Sequence, residues 1–498
     1  MLLRSYALLL LICPLASSQT QAVTGTVVST VDSVPIANAN VMLFGGGANQ
    51  TVLTDQSGAF SFGSVPPGSY NLSAQHHAYF FPAGGVQVVA AQKPLEPIRL
   101  RMTPYVKLTG KVTDENGYPF PNVVITAIQR VLYQGKASLA MTGSAGTGDS
   151  GEFAMPQLRG GTYLVCVNAN ASPYQRHHRL AYQTTCFPNT TDLSSAAWLT
   201  LGLDAEQSLS FHLSPVTGIR LRGSIENASK GVSLSIVRTD PPGFPNAQSI
   251  PVSFDEKTAT FEVLSLQPGD YSLTAFANGA TGQKRATRTI HAGTQDLNDV
   301  RLVLEEPMPL SGTVHMGTAL PNAVGVSLGG DQTVIVYANA SGTFSLPTLS
   351  PGDHAVQVIS PPGWIVQSIL QGGLAVRDEK ISIPETGSPE PIEITLRQGG
   401  GILQVVVPKG SAAITLLKRS TNGRDWLQQG QTVGVNNARS TQLSNLPPGE
   451  YSLFVWESPN EIEYLNPDVL TKYQSLGQTV TIREGETTRV SAQIIPGH

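Results

Sequence analysis

The chain has 498 residues, a net charge of −4 and only 13% charged residues. With no long basic run, nucleic acid and anionic membrane are not expected as partners. Glycine (49) and proline (35) are plentiful and evenly spread, which suits many short strands and turns rather than a disordered linker protein.

The N-terminus reads Met1-Leu2-Leu3-Arg4, an apolar run from Tyr6 to Ile12, then Cys13-Pro14-Leu15-Ala16-Ser17-Ser18. A positive start, a short apolar run and small residues predict a Sec-type signal peptide over residues 1–22, cut after Ser18 or Ala22. The run is too short to span a bilayer, and no later stretch does so. Ile12 and Pro14 flank Cys13 where a lipidation signal wants small residues.

A short phrase then returns five times: Pro67-Gly68-Ser69-Tyr70, Gly160-Gly161-Thr162-Tyr163, Pro268-Gly269-Asp270-Tyr271, Pro351-Gly352-Asp353-His354 and Pro448-Gly449-Glu450-Tyr451. Its glycines lie roughly 85 to 110 residues apart, the length of one small β-sandwich. Pro-Gly predicts a type II turn with positive φ at glycine. Alternation such as Tyr70, Leu72, Ala74 predicts a following strand with one buried face, anchored by the aromatic. Upstream stand tight turns feeding a phenylalanine, as in Asp55 to Phe60, Asp149 to Phe153 and Ala340 to Phe344; the third module keeps only Thr260-Phe261. Openings are alike too: Thr24-Gly25-Thr26-Val27, Thr109-Gly110-Lys111-Val112, Arg222-Gly223-Ser224-Ile225 and Ser311-Gly312-Thr313-Val314, with Gly401 to Val406 opening the fifth. Lys111 reads as a solvated edge lysine.

At these residues the chain resembles the carboxypeptidase regulatory-like domain family, which has transthyretin-like β-sandwiches classed near carbohydrate-binding-like folds. The first module follows the family phrase from Gly25 to Tyr70. The second does so with a long insertion, and modules three to five keep the ends of the pattern. The last module, from Tyr464 to Glu486, is similar to the terminal piece of large secreted proteins of acidobacteria. The resemblance implies a non-catalytic module, since the family takes its name from a neighbour of a peptidase.

The expected fold class is all-β, with five tandem Ig-like or transthyretin-like sandwiches. Their expected bounds are 23–103, 104–215 with the insertion, 216–305, 306–398 and 399–498. After signal removal two cysteines remain, Cys166 and Cys186, and an even count in an exported chain favours a disulfide over two free thiols. Alternation from Tyr163 points Cys166 outward, so a bridge would pin the insertion, Asn168 to Asp192, to the outer sheet face.

Chemistry-bearing patterns are few. Gly325-Val326-Ser327-Leu328-Gly329 fits a nucleophile elbow but falls where an internal strand is expected. Gly146 to Gly151 fits a dinucleotide fingerprint but lies in a module turn. Asp114-Glu115-Asn116-Gly117 opens like a calcium loop, yet the bidentate glutamate is missing. His76-His77 and His177-His178 are adjacent pairs, expected on opposite faces of a strand, and none of the nine histidines begins a zinc-peptidase pattern. No catalytic residue, metal site or cofactor is therefore expected. Of the four tryptophans, Trp198 included, Trp364, Trp426 and Trp456 are the candidate ligand contacts, because sugar C–H faces stack on exposed rings.

The sequence thus reads as an exported non-enzymatic protein, secreted, periplasmic or at the cell surface. Carbohydrate or another envelope protein is the expected partner, in an adhesive or scaffold role. The alternative is a structural spacer or an interaction accessory to a separate peptidase or outer-membrane transporter.

Overall fold

The structure, a computed structural model, describes residues 20–496 apart from 47, 82–84, 91–94, 134, 170–179, 204, 229, 242, 246–248, 280–282, 306–308, 318–323, 330–333, 347–348, 350–351, 385–386, 408–411, 420–425, 429–432, 436–439 and 458–461. Residues 1–19 of the signal-peptide reading, with Cys13, and His177-His178 lie outside the described residues, while Gln21 and Ala22 open the first strand. The chain is nearly all β. Contacts gather it into two compact units: residues up to 127 with 142–167 and 185–213, and the remainder.

The first unit begins with eight strands: β1 (Gln21–Ser29), β2 (Asn40–Gly45), β3 (Ala48–Leu53), β4 (Ala59–Val65), β5 (Gly68–Gln75), β6 (Tyr79–Phe80), β7 (Val86–Ala90) and β8 (Ile98–Pro104). They form two four-stranded sheets, β4-β1-β8-β6 and β3-β2-β5-β7. Apolar side chains alternate inward from both sheets. Val23, Val27, Val41, Leu43, Phe60, Phe62, Tyr70, Leu72, Leu100 and Met102 meet in one buried cluster. This two-sheet plan is the expected sandwich.

The plan recurs down the chain. A central opening strand pairs antiparallel with the phenylalanine strand and parallel with the closing strand. It does so at Val106–Thr113, Ile219–Glu226 and Leu310–His315, as at β1, and the fifth opening strand, Gly401–Val406, sits likewise between Ser440–Leu446 and Thr487–Ser491. The phrase strands Gly161–Asn168, Gly269–Asn278, Gly352–Ile359 and Gly449–Trp456 lie in the facing sheets.

The register explains why glycine and phenylalanine recur together. Gly25 stands opposite Phe60, Gly110 opposite Phe153, Gly223 opposite Phe261 and Gly312 opposite Phe344. A Cβ at any of these glycines would meet that ring at 2.1–2.6 Å. The ring lies across the bare backbone, as aromatics do over sheet glycines.

The phrase itself differs in detail from the expected type II turn. Gly161, Gly269, Gly352 and Gly449 have φ of +155°, +148°, +120° and +151°, wide of the roughly +80° of that turn, and Gly68 is not among the positive-φ glycines. Each is already the first residue of its strand, so the backbone is extended rather than folded back. Four of the aromatics do more than fill the core. The hydroxyls of Tyr70 and Tyr271 donate to the carbonyls of Pro66 (3.0 Å) and Gln267 (2.9 Å), four residues upstream, and those of Tyr163 and Tyr451 do the same to Arg159 and Pro447. This is a tyrosine corner, which ties the strand to the turn that feeds it. Burial pushes the Tyr271 and Tyr451 phenols up to about 12. In the fourth phrase the half-buried His354 places Nδ1 3.3 Å from the Gly329 carbonyl instead.

Several sequence patterns resolve into plain structure. Ser327 lies inside the strand Gly325–Gly329, buried between two neighbouring strands, not at an elbow. The Asp114 carboxylate accepts from Asn116 N–H (2.9 Å) and Tyr118 N–H (2.8 Å), so it caps a turn. In the second unit a short helix, Pro467–Leu470, interrupts the expected all-β run; Asn466 caps it and proline opens it.

Candidate functional site

Of the candidate tryptophans, Trp456 is buried and Trp364 half-buried, so these two do not present open rings. Trp456, expected as a ligand contact, is 0% exposed. Its ring stacks on Phe454 and Tyr464, and its Nε1–H donates to Thr415 Oγ1 at 3.2 Å. It sits on the outer face of its strand, as alternation demands, but residues 462–473 cover that face and make a second small core. Trp364 is half-buried against the core of the fourth sheet pair. The Pro361-Pro362-Gly363 loop before it is tied down: Asn445 Nδ2 donates to the carbonyls of Ser360 and Pro361, and Gly363 N–H donates to Asn445 Oδ1. The Trp426 side chain lies outside the described residues. Trp198 is 44% exposed.

The disulfide between Cys166 and Cys186 is present, across directly opposed positions of neighbouring antiparallel strands. Cys166 is off the Tyr163 face, as alternation places it, but is not open to solvent. Every residue from Tyr163 to Asn168 is buried, because this strand, unlike β5, is covered on both faces. Within the second unit, the strand Leu180–Tyr182 of the insertion pairs with Pro215–Thr217, and the Gln267 side-chain amide donates to the Tyr182 carbonyl.

An open cleft of about 910 Å³ lies in the first unit instead. Its floor is the outer face of the β3-β2-β5-β7 sheet. Side chains that alternate away from the core stand there in cross-strand rows: Asn40 opposite Gln75, Met42 opposite Ser73, Phe44 opposite Asn71. Phe44 is 45% exposed. The wall is the segment after β5, His76-His77-Ala78-Tyr79-Phe80-Phe81, together with Tyr105 and Arg159.

This wall is built by a tight turn. The ladder ends at Gln75, and His76 bridges back to Tyr79. The histidines therefore do not point to opposite faces, as a continuing strand would require; their rings lie 4.3 Å apart, with Tyr79 5.3 Å from His76. His76 Nδ1 accepts from Ala78 N–H at 3.1 Å, which leaves Nε2 as the protonated nitrogen of the neutral ring. Burial, and then the neighbouring His77, hold the His76 imidazole below its usual 6.5. Tyr105 N–H donates to the Ala78 carbonyl (3.0 Å), Gln157 Nε2 donates to the His77 carbonyl (3.1 Å), and the Tyr105 ring meets Phe80 at 5.4 Å. The wall is thus pinned from the following strands.

Amides, hydroxyls and half-exposed rings side by side can bind a ligand that presents both polar groups and C–H surface. No group of three metal-ligating side chains occurs among the described residues. None of the cleft residues was singled out as a ligand contact from sequence. The signal present there was the run of two histidines and three aromatics directly after a strand, too many rings for an ordinary turn.

Residues 22–101 match the family model of the carboxypeptidase regulatory-like domain. No curated protein matches the chain. Among solved structures, the Bacillus anthracis TIE protein is 12% identical, with 76% of this chain and 74% of that one covered and a TM-score of 0.19. BcpA, the major pilin subunit of Bacillus cereus, is 10% identical over 95% and 99%, with a TM-score of 0.17. The RrgB pilus protein of Streptococcus pneumoniae is 8% identical over 79% and 98%, with a TM-score of 0.18. Likenesses at these levels say nothing of function. The family likeness stands on residues 22–101, which are similar throughout to the carboxypeptidase regulatory-like domain and hold the floor of the cleft.

Proposed function

We propose that the protein is an exported, non-catalytic string of five β-sandwiches, bounded near residues 23–103, 104–215, 216–305, 306–398 and 399–498. In this reading it acts as an adhesive or scaffold at the cell envelope and takes carbohydrate in the cleft of its first sandwich. The observation that carries this is the open outer face of β2 and β5, where the amides of Asn40 and Gln75 stand opposite each other and the apolar side chains of Met42 and Phe44 follow on β2. Sugars match such a surface, with hydroxyls for the amides and C–H faces for the rings. The Cys166–Cys186 bridge fits an oxidising compartment, and the signal-peptide reading of residues 1–22 fits export. No helix among the described residues is long and apolar enough to cross a membrane.

A glycan array probed with the mature chain tests this. Saturable binding that Phe44→Ala removes while Trp364→Ala leaves it intact is the expected result. Absence of glycan binding would sink the carbohydrate reading. The second reading, a spacer or an accessory to a peptidase or transporter, is favoured by one observation. Tyr105 alone joins β8 to the next strand, Val106–Thr113, and its backbone is bonded to Ala78. A stable protein partner with no glycan bound would support that reading.

A further inference from the structure

The cleft is one-sided in charge. Among the described residues its lining includes the Arg159 guanidinium and two imidazoles but no aspartate or glutamate. Arg159 lies over the Phe80 ring, 4.9 Å from the centroid, and its side chain makes no ion pair with a carboxylate among the described residues. A second cavity, of about 760 Å³ on the third sheet pair, is the opposite case. Asp255, Glu262 and Asp299 line it, and its Arg222 is already paired with Glu262 at 2.8 Å.

A guanidinium stacked on a ring is held in place while its N–H edge stays open, and that edge fits a planar, bidentate acceptor. A carboxylate is the matching group. In the same cleft stand exposed amides suited to ring hydroxyls (Asn40, Gln75) and apolar side chains suited to C–H surface (Phe44, Met42). An acidic peptide is the less suitable occupant, because extended peptides dock by pairing with an open strand edge, and this floor is a sheet face.

We propose that the cleft selects glycans that carry a carboxylate, uronate-type sugars, with Arg159 taking the acid and the β2 and β5 rows taking the sugar ring. This rests on the carbohydrate reading above.

The probe is an oligogalacturonate, compared with the same oligosaccharide as its methyl ester, each titrated into the full chain by calorimetry at low and moderate salt. Three results are expected: the acid binds about tenfold or more tighter than the ester, added salt narrows the gap, and Arg159→Gln abolishes the preference while ester binding persists. Equal affinity for acid and ester overturns the acid preference alone. Binding of neither, with a neutral glycan positive on the array, also overturns only this inference; a blank array overturns the carbohydrate reading as well. Displacement of the oligogalacturonate by polyglutamate at equal charge would overturn it in favour of an acidic peptide. Should Arg159→Gln fail to fold, the acid-versus-ester comparison on the unmodified chain still decides.

Discussion

Two strands with the same opening phrase end in opposite surroundings. In β5, Tyr70, Leu72 and Ala74 face the core while Asn71, Ser73 and Gln75 face outward. In Gly449–Trp456, Tyr451, Leu453 and Val455 face the core while the outward set is Ser452, Phe454 and Trp456. The inner faces are interchangeable in kind. The outer faces are not: one is polar and carries an open cleft, the other is aromatic and lies under residues 462–473. Gly161–Asn168 is a third case, covered on both faces and closed by a disulfide. The shared phrase therefore builds the sandwich, and the outward residues decide whether a second layer forms over it.

The covered face should be costly to disturb and the open face should not. Trp456→Ala empties a fully packed site and is expected to cost about 3–5 kcal/mol; Phe44→Ala should stay within about 0.5 kcal/mol while it weakens glycan binding. Thermal or denaturant unfolding of the two variants checks this, and similar losses would erase the distinction between the faces. The disulfide comes next. Its loop spans a sequence separation of 20, and replacing both cysteines by alanine should cost roughly 3 kcal/mol. An unchanged denaturant midpoint would mean that the covered second strand does not need the bridge.

The shared turn offers a smaller effect. A Cβ at Gly269 would fall 2.8 Å from Asp240 Oδ1 and 3.0 Å from Arg238 Nη2, atoms of two side chains that are ion-paired through Nε–Oδ1 and Nη2–Oδ2 at this turn. Gly269→Val should therefore destabilise by about 1–3 kcal/mol and by more than Ser272→Val, whose half-buried position tolerates a β-branched residue. Equal thermal shifts would count against the turn geometry.

The smallest effect lies on the open face. His76 is held below its usual 6.5 by burial and His77, so between its lowered value and 6.5 the unfolded chain binds more protons than the native one. Stability of the first unit then rises with pH through that window and is flat above it. His76→Gln should remove the slope, and a slope of the opposite sign would show the imidazole to be stabilised in its charged form.

Much of the fold was legible in local pattern. Period-two alternation assigns Tyr70, Leu72 and Ala74 to a core, and the repeating phrase sets the spacing of the sandwiches, because both depend on neighbours within a few residues. The glycine–phenylalanine pairing was visible as two separate motifs, but its cause was not, since Gly25 and Phe60 meet only across a ladder. The same holds for the tyrosine corner. Its residues are four apart, yet the hydroxyl finds its carbonyl only after the turn has opened into a strand.

The site was harder to read. Trp364 and Trp456 stood as candidate ligand contacts, but exposure depends on where distant chain lands: Asn445 ties the loop before Trp364 and Tyr464 stacks on Trp456. The cleft is assembled likewise from β2, β5, the turn after β5, Tyr105 and Arg159, residues up to about 120 positions apart. The all-β class, the repeat, the inner faces and the set of outward residues are written in local pattern, because they follow from backbone geometry within a few residues. Which outward faces are roofed and which stay open depends on long-range folding, because covering a face is a contact between segments that no local pattern encodes.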